Sequence, residues 1–286
     1  MRASLPYLVL GAAVLAVSNG AIFARLSDAA PLATAAWRLT IASSVIVPLA
    51  LLFGRTRFEA RARDWCLAAV AGGLLALHFA TWITSLEYTS IANSVLLVTT
   101  APIWVGLLSL VTGRDRPGPR WWVGMSLAML GAAVITLGGV QAADGSTLGD
   151  VLALAGAICM AGYLMLAREA QRALPLLPYL ATAYGTAGLV LWIAVVATGT
   201  AATGFTATTW MALGGMAVVS QLLGHSGYNW SLRHLPPAFV AVTLLAEPLV
   251  ASALGWLLLG EAVTVRTLLG GAVVLAGIVV ATRSAR

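Results

Sequence analysis

From Phe239 to Leu259 the chain carries one charged side chain, Glu247, followed at once by Pro248. About twenty apolar residues at a rise of about 1.5 Å each match a hydrocarbon core of about 30 Å, so this stretch reads as a transmembrane helix. Glu247 falls near its middle. An acid there costs about 2.5–3.5 kcal/mol, which about six Leu, Ile or Val residues offset. Pro248 withdraws one backbone donor and frees the carbonyl near Leu244, which predicts a kink beside the acid. A kinked helix with a mid-membrane carboxyl group fits the lining of a transport cavity.

Nine more segments of this kind follow from the turns and charges. The ten cover roughly 5–24, 32–53, 65–86, 91–111, 121–139, 147–167, 178–198, 208–232, 237–259 and 265–282, and the intervals leave no room for a soluble domain. The expected fold is therefore an all-α polytopic membrane protein with ten transmembrane helices. Charged residues make up 9% and hydrophobic ones 60%, against about 25% and 45–50% in soluble domains. The net charge of +6 is all arginine, since the chain has no lysine. It is scattered over short hydrophilic breaks rather than gathered on one face, which excludes a nucleic-acid partner. Cys66 and Cys159 lie in separate apolar segments and form no CxxC pair, so no disulfide framework, metal site or cofactor is expected. The first segment lacks a small-residue cleavage site and reads as a retained helix rather than a signal peptide.

Arginine sets the orientation. With the N-terminus in the cytoplasm, thirteen of the sixteen arginines fall on the inner face, Arg25 and Arg266 on the outer face, and Arg38 inside the second helix. This is the positive-inside pattern, and ten helices return the C-terminus to the cytoplasm.

The stretch from Leu86, LEYTSIANSVLLVTTAPIWVGLL, lies without a gap over the stretch from Leu232, LRHLPPAFVAVTLLAEPLVASAL. Pro102 then falls on Pro248, Gly124 on Gly270 and Gly131 on Gly277. Each half, 1–140 and 141–286, holds five helices. An odd number reverses the second half, so the halves are expected to be inverted repeats forming one transmembrane domain.

These stretches, with Arg38 early in helix 2 and Ser18-Asn19-Gly20 in helix 1, resemble the EamA-type drug/metabolite transporter superfamily over essentially the full length. The resemblance implies a ten-helix carrier of small metabolites, often an exporter of amino acids, with a central cavity between the halves. The first repeat departs from the second. Pro102 follows Ala101 rather than an acid, and Gly113 precedes Arg114 where the second repeat has Gly260 and Glu261. A proton-coupling role for Glu247 therefore has no symmetric partner.

Candidate substrate-binding residues follow from polar groups inside the spans, since polar groups facing lipid would be unsatisfied. Gln221, His225, Tyr228 and Asn229 recur at spacings of four, three and four, one face of helix 8. That face is a cavity wall, or a seam of hydrogen bonds between helices worth about 0.6 kcal/mol per contact. His78 and Trp82 stand at i, i+4 in helix 3, and the repeat brings His78 onto His225 with one residue of slip. Trp82 offers a ring face to an ammonium group, or simply packs. Asn93, Thr100 and Trp104 share a face of helix 4, and Asn19 and Tyr163 add to the chamber from helices 1 and 6. Arg38 either snorkels outward or holds a carboxylate, a substrate's or that of Glu247. Glu247 is either a protonatable coupling group or a structural acid.

The leading function is a secondary transporter, an exporter of amino acids by alternating access, in the cell membrane (the inner membrane of a bacterium). Aromatic and neutral-polar candidates with few charges suit a zwitterionic or neutral solute. No obligate protein partner is evident beside the substrate and the bilayer. A Walker-type pump is excluded because the loop needs a lysine. Two alternatives stand beside it. Gly224-His225-Ser226-Gly227 has the form seen in intramembrane serine proteases, with Ser226 as nucleophile, and a passive metabolite channel would show flux without saturation.

Overall fold

Pro31, Pro119 and Pro237 each open a helix, where a missing backbone N–H costs nothing. The computed structural model describes residues 4–54, 60–89, 91–137, 146–259 and 264–283. Helices α1 (Leu5–Val17) and α2 (Gly20–Arg25) form the first apolar segment, α3 (Pro31–Phe53) the second and α4 (Ala62–Tyr88) the third. The fourth is α5 (Ile91–Val98) with α6 (Ala101–Thr112), followed by α7 (Pro119–Leu137), α8 (Thr147–Ala170) and α9 (Leu176–Thr198). The eighth comprises α10 (Ala207–Gly215), a π-helix (Met216–His225) and α11 (Ser226–Ser231). Helices α12 (Pro237–Leu244) and α13 (Glu247–Leu259) form the ninth, and α14 (Val265–Arg283) the last. No strand occurs among the described residues. Eight of these runs are long and apolar enough to cross a membrane. Their outward faces carry apolar side chains such as Leu51, Val111 and Val196, at 82%, 85% and 77% exposure, a surface that only lipid covers at low cost.

Small residues bring the helices together, because lipid supplies no hydrophobic drive for helices to associate. A Cβ on Gly72 of α4 would lie 2.3 Å from the carbonyl oxygen of Ala183 in α9. Helices α7 and α14 meet through glycines on both sides. A Cβ on Gly124 would stand 2.5 Å from the Gly277 oxygen, and one on Gly131 would stand 2.6 Å from the Gly270 oxygen. Numbers rise along α7 as they fall along α14, so the pair is antiparallel.

Two spans break at matching places. Helix α5 ends at Val98 and α6 starts at Ala101; α12 ends at Leu244 and α13 starts at Glu247. Each break lies just before a proline, which cannot donate to the carbonyl four residues back. The chain tightens there in the same way: Thr100 N–H donates to Leu97 O at 3.1 Å, and Ala246 N–H to Thr243 O at 3.1 Å. The hydroxyls of Thr99 and Thr243 donate to the Leu96 and Val240 carbonyls at 2.8 and 2.7 Å.

Two other segments differ from the continuous helices expected. Ser18 Oγ donates to Val14 O at 2.8 Å and Asn19 Nδ2 to Leu15 O at 2.9 Å, competing with the backbone and separating α1 from α2. In the eighth segment, Gly214, Gly215, Gly224 and Gly227 lower helix propensity, and the chain widens into the π-helix. The wide turn lets α1 approach, since a Cβ on Gly224 would come 2.4 Å from Val17 Cγ2.

The glycine seam between α7 and α14 gives a direct test. Gly277→Val places its side chain against Gly124 and Ala128 backbone and should cost about 1–3 kcal/mol. The control is Gly73→Ala, whose Cβ meets nothing within 4 Å. Thermal unfolding in detergent measures both; equal midpoints for the two variants would refute the seam.

Candidate functional site

The broken spans face one cavity of about 90 Å³. That is well below the roughly 300–1,000 Å³ of pockets that enclose drug-sized ligands, so the space suits a small solute. Its wall takes Ser18 and Gly20 from around the α1–α2 break, Arg38 from α3, and His78, Phe79 and Trp82 from α4. The α5–α6 break adds Thr99, Ala101 and Pro102, and α8 adds Met160. His225 of the π-helix, Tyr228 of α11, and Glu247 and Pro248 of α13 join it, and apolar Val17, Val95, Val98, Leu244 and Ala251 fill the remainder. Pro102 and Pro248, one at each matched break, thus border the same space.

Arg38 is 2% exposed. Its Nε donates to Gln221 Oε1 at 2.8 Å, and its Cζ lies 4.1 Å from the ring centroid of Phe79. His225 meets the edge of Phe79 at 5.2 Å, and Tyr228 lies 5.7 Å beyond His225. Tyr228 OH donates to Glu247 Oε1 at 3.3 Å. His78, whose ring lies 5.0 Å from that of Phe79, has Nδ1 2.9 Å from the Gly156 carbonyl, which must accept; the proton is therefore on Nδ1 and a neutral ring keeps Nε2 as an acceptor. The His78 ring stacks on Trp82, with centroids 6.0 Å apart and planes within 10°.

The polar face of the eighth segment divides in two. His225 and Tyr228 reach the cavity, while Gln221 and Asn229 lie behind it, both fully buried. The π-helix advances by a smaller angle per residue than an α-helix, so a face counted at 3.6 residues per turn is redistributed along this segment. Asn229 Nδ2 donates to Tyr163 OH and, at 2.7 Å, to His225 O. Tyr163 is accordingly a buried anchor, and Met160, one turn earlier, takes the place at the wall. Thr100 and Trp104 bond to each other at 3.3 Å and do not line the cavity. Asn19 turns back on its own helix while Ser18 lines the space. The Asn93 side chain lies outside the described residues. Ser226 Oγ pairs with Tyr184 OH at 3.1 Å and with the Gln221 carbonyl at 3.4 Å, and no histidine is a hydrogen-bond partner of it among the described residues.

Ser18 stands in the Ser18-Asn19-Gly20 stretch already marked and Thr99 beside the polar face of helix 4, while Phe79 and Met160 carry little sequence signal. An apolar residue beside a cavity looks the same as one in a core. Of the last two, Phe79 alone had a clue, its place next to His78.

The model of the EamA-like transporter family matches residues 5–137 and again 147–283. The chain belongs to the EamA-like transporter family. Among curated relatives it is 27% identical to the uncharacterized transporter YwfM of Bacillus subtilis (strain 168), over 91% of this chain and 86% of that protein. It is 25% identical to an uncharacterized transporter of Archaeoglobus fulgidus, over 74% of this chain and 75% of that one. It also resembles a protein of known crystal structure, with a TM-score of 0.84 and 18% identity over 100% of both chains, a likeness that speaks to the fold alone. This EamA-like chain is thus a multi-pass membrane protein, since its family and its apolar helices agree.

In this EamA-like transporter, replacing Asn229 by Leu strips both of its bonds and leaves Tyr163 OH without that donor. The expected loss is about 1–3 kcal/mol. Ser44→Ala, which removes only a hydroxyl bonded to its own helix at Ile41 O, should leave stability unchanged. Thermal unfolding in detergent decides, and an Asn229→Leu protein as stable as the parent would show that the buried bonds contribute nothing.

Proposed function

We propose that the chain is a secondary transporter that exports small zwitterionic or neutral metabolites, amino acids foremost, by alternating access in the cell membrane. The observation that carries this reading is the cavity where two spans break in matching register, bordered by polar groups from both halves. Discontinuous helices at the midplane are where carriers bind solute, because unwound backbone is tolerated there only beside protein or water.

Ten crossings follow if α7 and the run from α10 to α11 count with the eight longest apolar runs. The antiparallel α7–α14 pair supports inverted repeats, because a two-fold axis in the membrane plane relates Gly124–Gly277 to Gly270–Gly131. The two matches of one family model, one per half, support the same division. Arginine bias supports cytoplasmic termini. Both halves work as one transmembrane domain. Glu247 is the proton-coupling candidate, since it lines the cavity and its repeat equivalent is Ala101.

Uptake of a panel of labelled amino acids into proteoliposomes, with and without a pH gradient, tests the reading. Saturable transport of at least one member is expected, faster with the gradient in the parent and indifferent to it in Glu247→Gln. Silence across the whole panel would overturn the amino-acid carrier, and unsaturated flux would make it a channel. Ser226→Ala should retain transport; a protease would lose its activity with that hydroxyl.

A further inference from the structure

The guanidinium of Arg38 is a buried charge that forms no ion pair among the described residues. Its Nη2 is buried and has no hydrogen-bond partner among the described residues. The ion pairs among those residues gather on Glu169, and none includes Arg38. Glu247 lines the same cavity, yet its Oε1 is occupied by the Tyr228 hydroxyl rather than by Arg38.

What holds Arg38 is neutral. Gln221 takes Nε, and the face of Phe79 backs the guanidinium plane. A ring face and an amide oxygen fix the direction of the fork, but neither cancels a full charge taken out of water. The remaining N–H groups form the planar donor edge that matches a carboxylate with two parallel bonds. Arg38 lines a cavity with room for a small solute.

The rest of the wall suits the opposite pole of such a solute. Glu247 carries an acidic group, His78 keeps Nε2 as an acceptor, and Trp82 stacked on His78 adds an aromatic surface. A cation and an acid that share one cavity without pairing can receive the two poles of a zwitterion.

We propose that Arg38 is the anchor for the carboxylate of the transported solute, so that the carrier accepts small solutes bearing a free carboxylate and rejects their amides. This rests on the carrier reading above and narrows it. Phe79 and Gln221 are positioning residues that aim the guanidinium. A site that bonds a buried polar pair discriminates steeply against an analogue lacking one partner.

The test is competition in proteoliposomes. The tracer is the panel amino acid with the fastest saturable uptake, and the competitors are that amino acid unlabelled and its primary amide. The acid should compete about 100-fold better than the amide. In Arg38→Gln the ratio should fall towards one, whatever the residual rate; Arg38→Lys, which keeps the charge without the fork, should fall between. Gln221→Leu should lower the ratio less than Arg38→Gln. Should Arg38→Gln fail to fold, the comparison of acid and amide on the parent protein decides alone. Equal competition by acid and amide overturns the anchor and leaves the carrier standing. No uptake of any panel amino acid overturns the carrier, and the anchor with it.

Discussion

Inside a bilayer no water is at hand to satisfy a backbone N–H or C=O, so every irregular turn must be covered by protein or must border a hydrated space. That constraint governs this chain. Its irregular places are the Ser18–Asn19 turn, the paired breaks before Ala101 and Glu247, and the π-helix ending at His225. All of them reach one cavity. Among the described residues, the continuous helices α7, α9 and α14 contribute none to its wall. The broken spans bring their irregular turns to the cavity, where polar groups are tolerated, and the unbroken helices α3, α4 and α8 add Arg38, His78, Trp82 and Met160 to its wall.

The site gains its chemistry where the halves cease to match. The proline breaks fall at equivalent residues, and in each the residue two before the proline, Thr100 or Ala246, bonds to the carbonyl three residues back. Yet the position before the proline is Ala101 in one half and Glu247 in the other, giving two similar scaffolds and a single acid. The same contrast separates α4, unbroken over its 27 residues, from the π-distorted eighth segment. Matched breaks thus carry unequal side chains, and one pair of segments differs in its backbone as well.

Much of this was legible in the sequence, because the rules involved are local. Apolar length located the spans, and the two prolines located the breaks, since a missing donor acts wherever it is placed. Asn19, Tyr163 and Gln221 illustrate the limit. Each is polar and each stands in a span, but a polar group in lipid is satisfied equally well by a cavity, by a neighbouring helix or by its own backbone. Sequence distinguishes polar from apolar; it does not distinguish among those three partners. The π-helix compounds the difficulty in the eighth segment, because a face counted at 3.6 residues per turn is not kept by a wider one.

The two ends of the bundle are closed by different chemistry. At one, Glu169 of α8 meets Arg114 at 2.6 Å, Arg172 at 3.3 Å and Arg63 at 3.8 Å, and Arg168 donates to the Leu232 carbonyl. One carboxylate therefore joins the start of α4, the end of α6 and the end of α8. At the other end the bonds come from Thr89 to Asp150 and from Trp37 to the Ala202 carbonyl. The three arginine side chains are 49–69% exposed, so each pair contributes at most about 1 kcal/mol. Three pairs sharing one carboxylate hold the helices in register, and water competes for each of them at little cost.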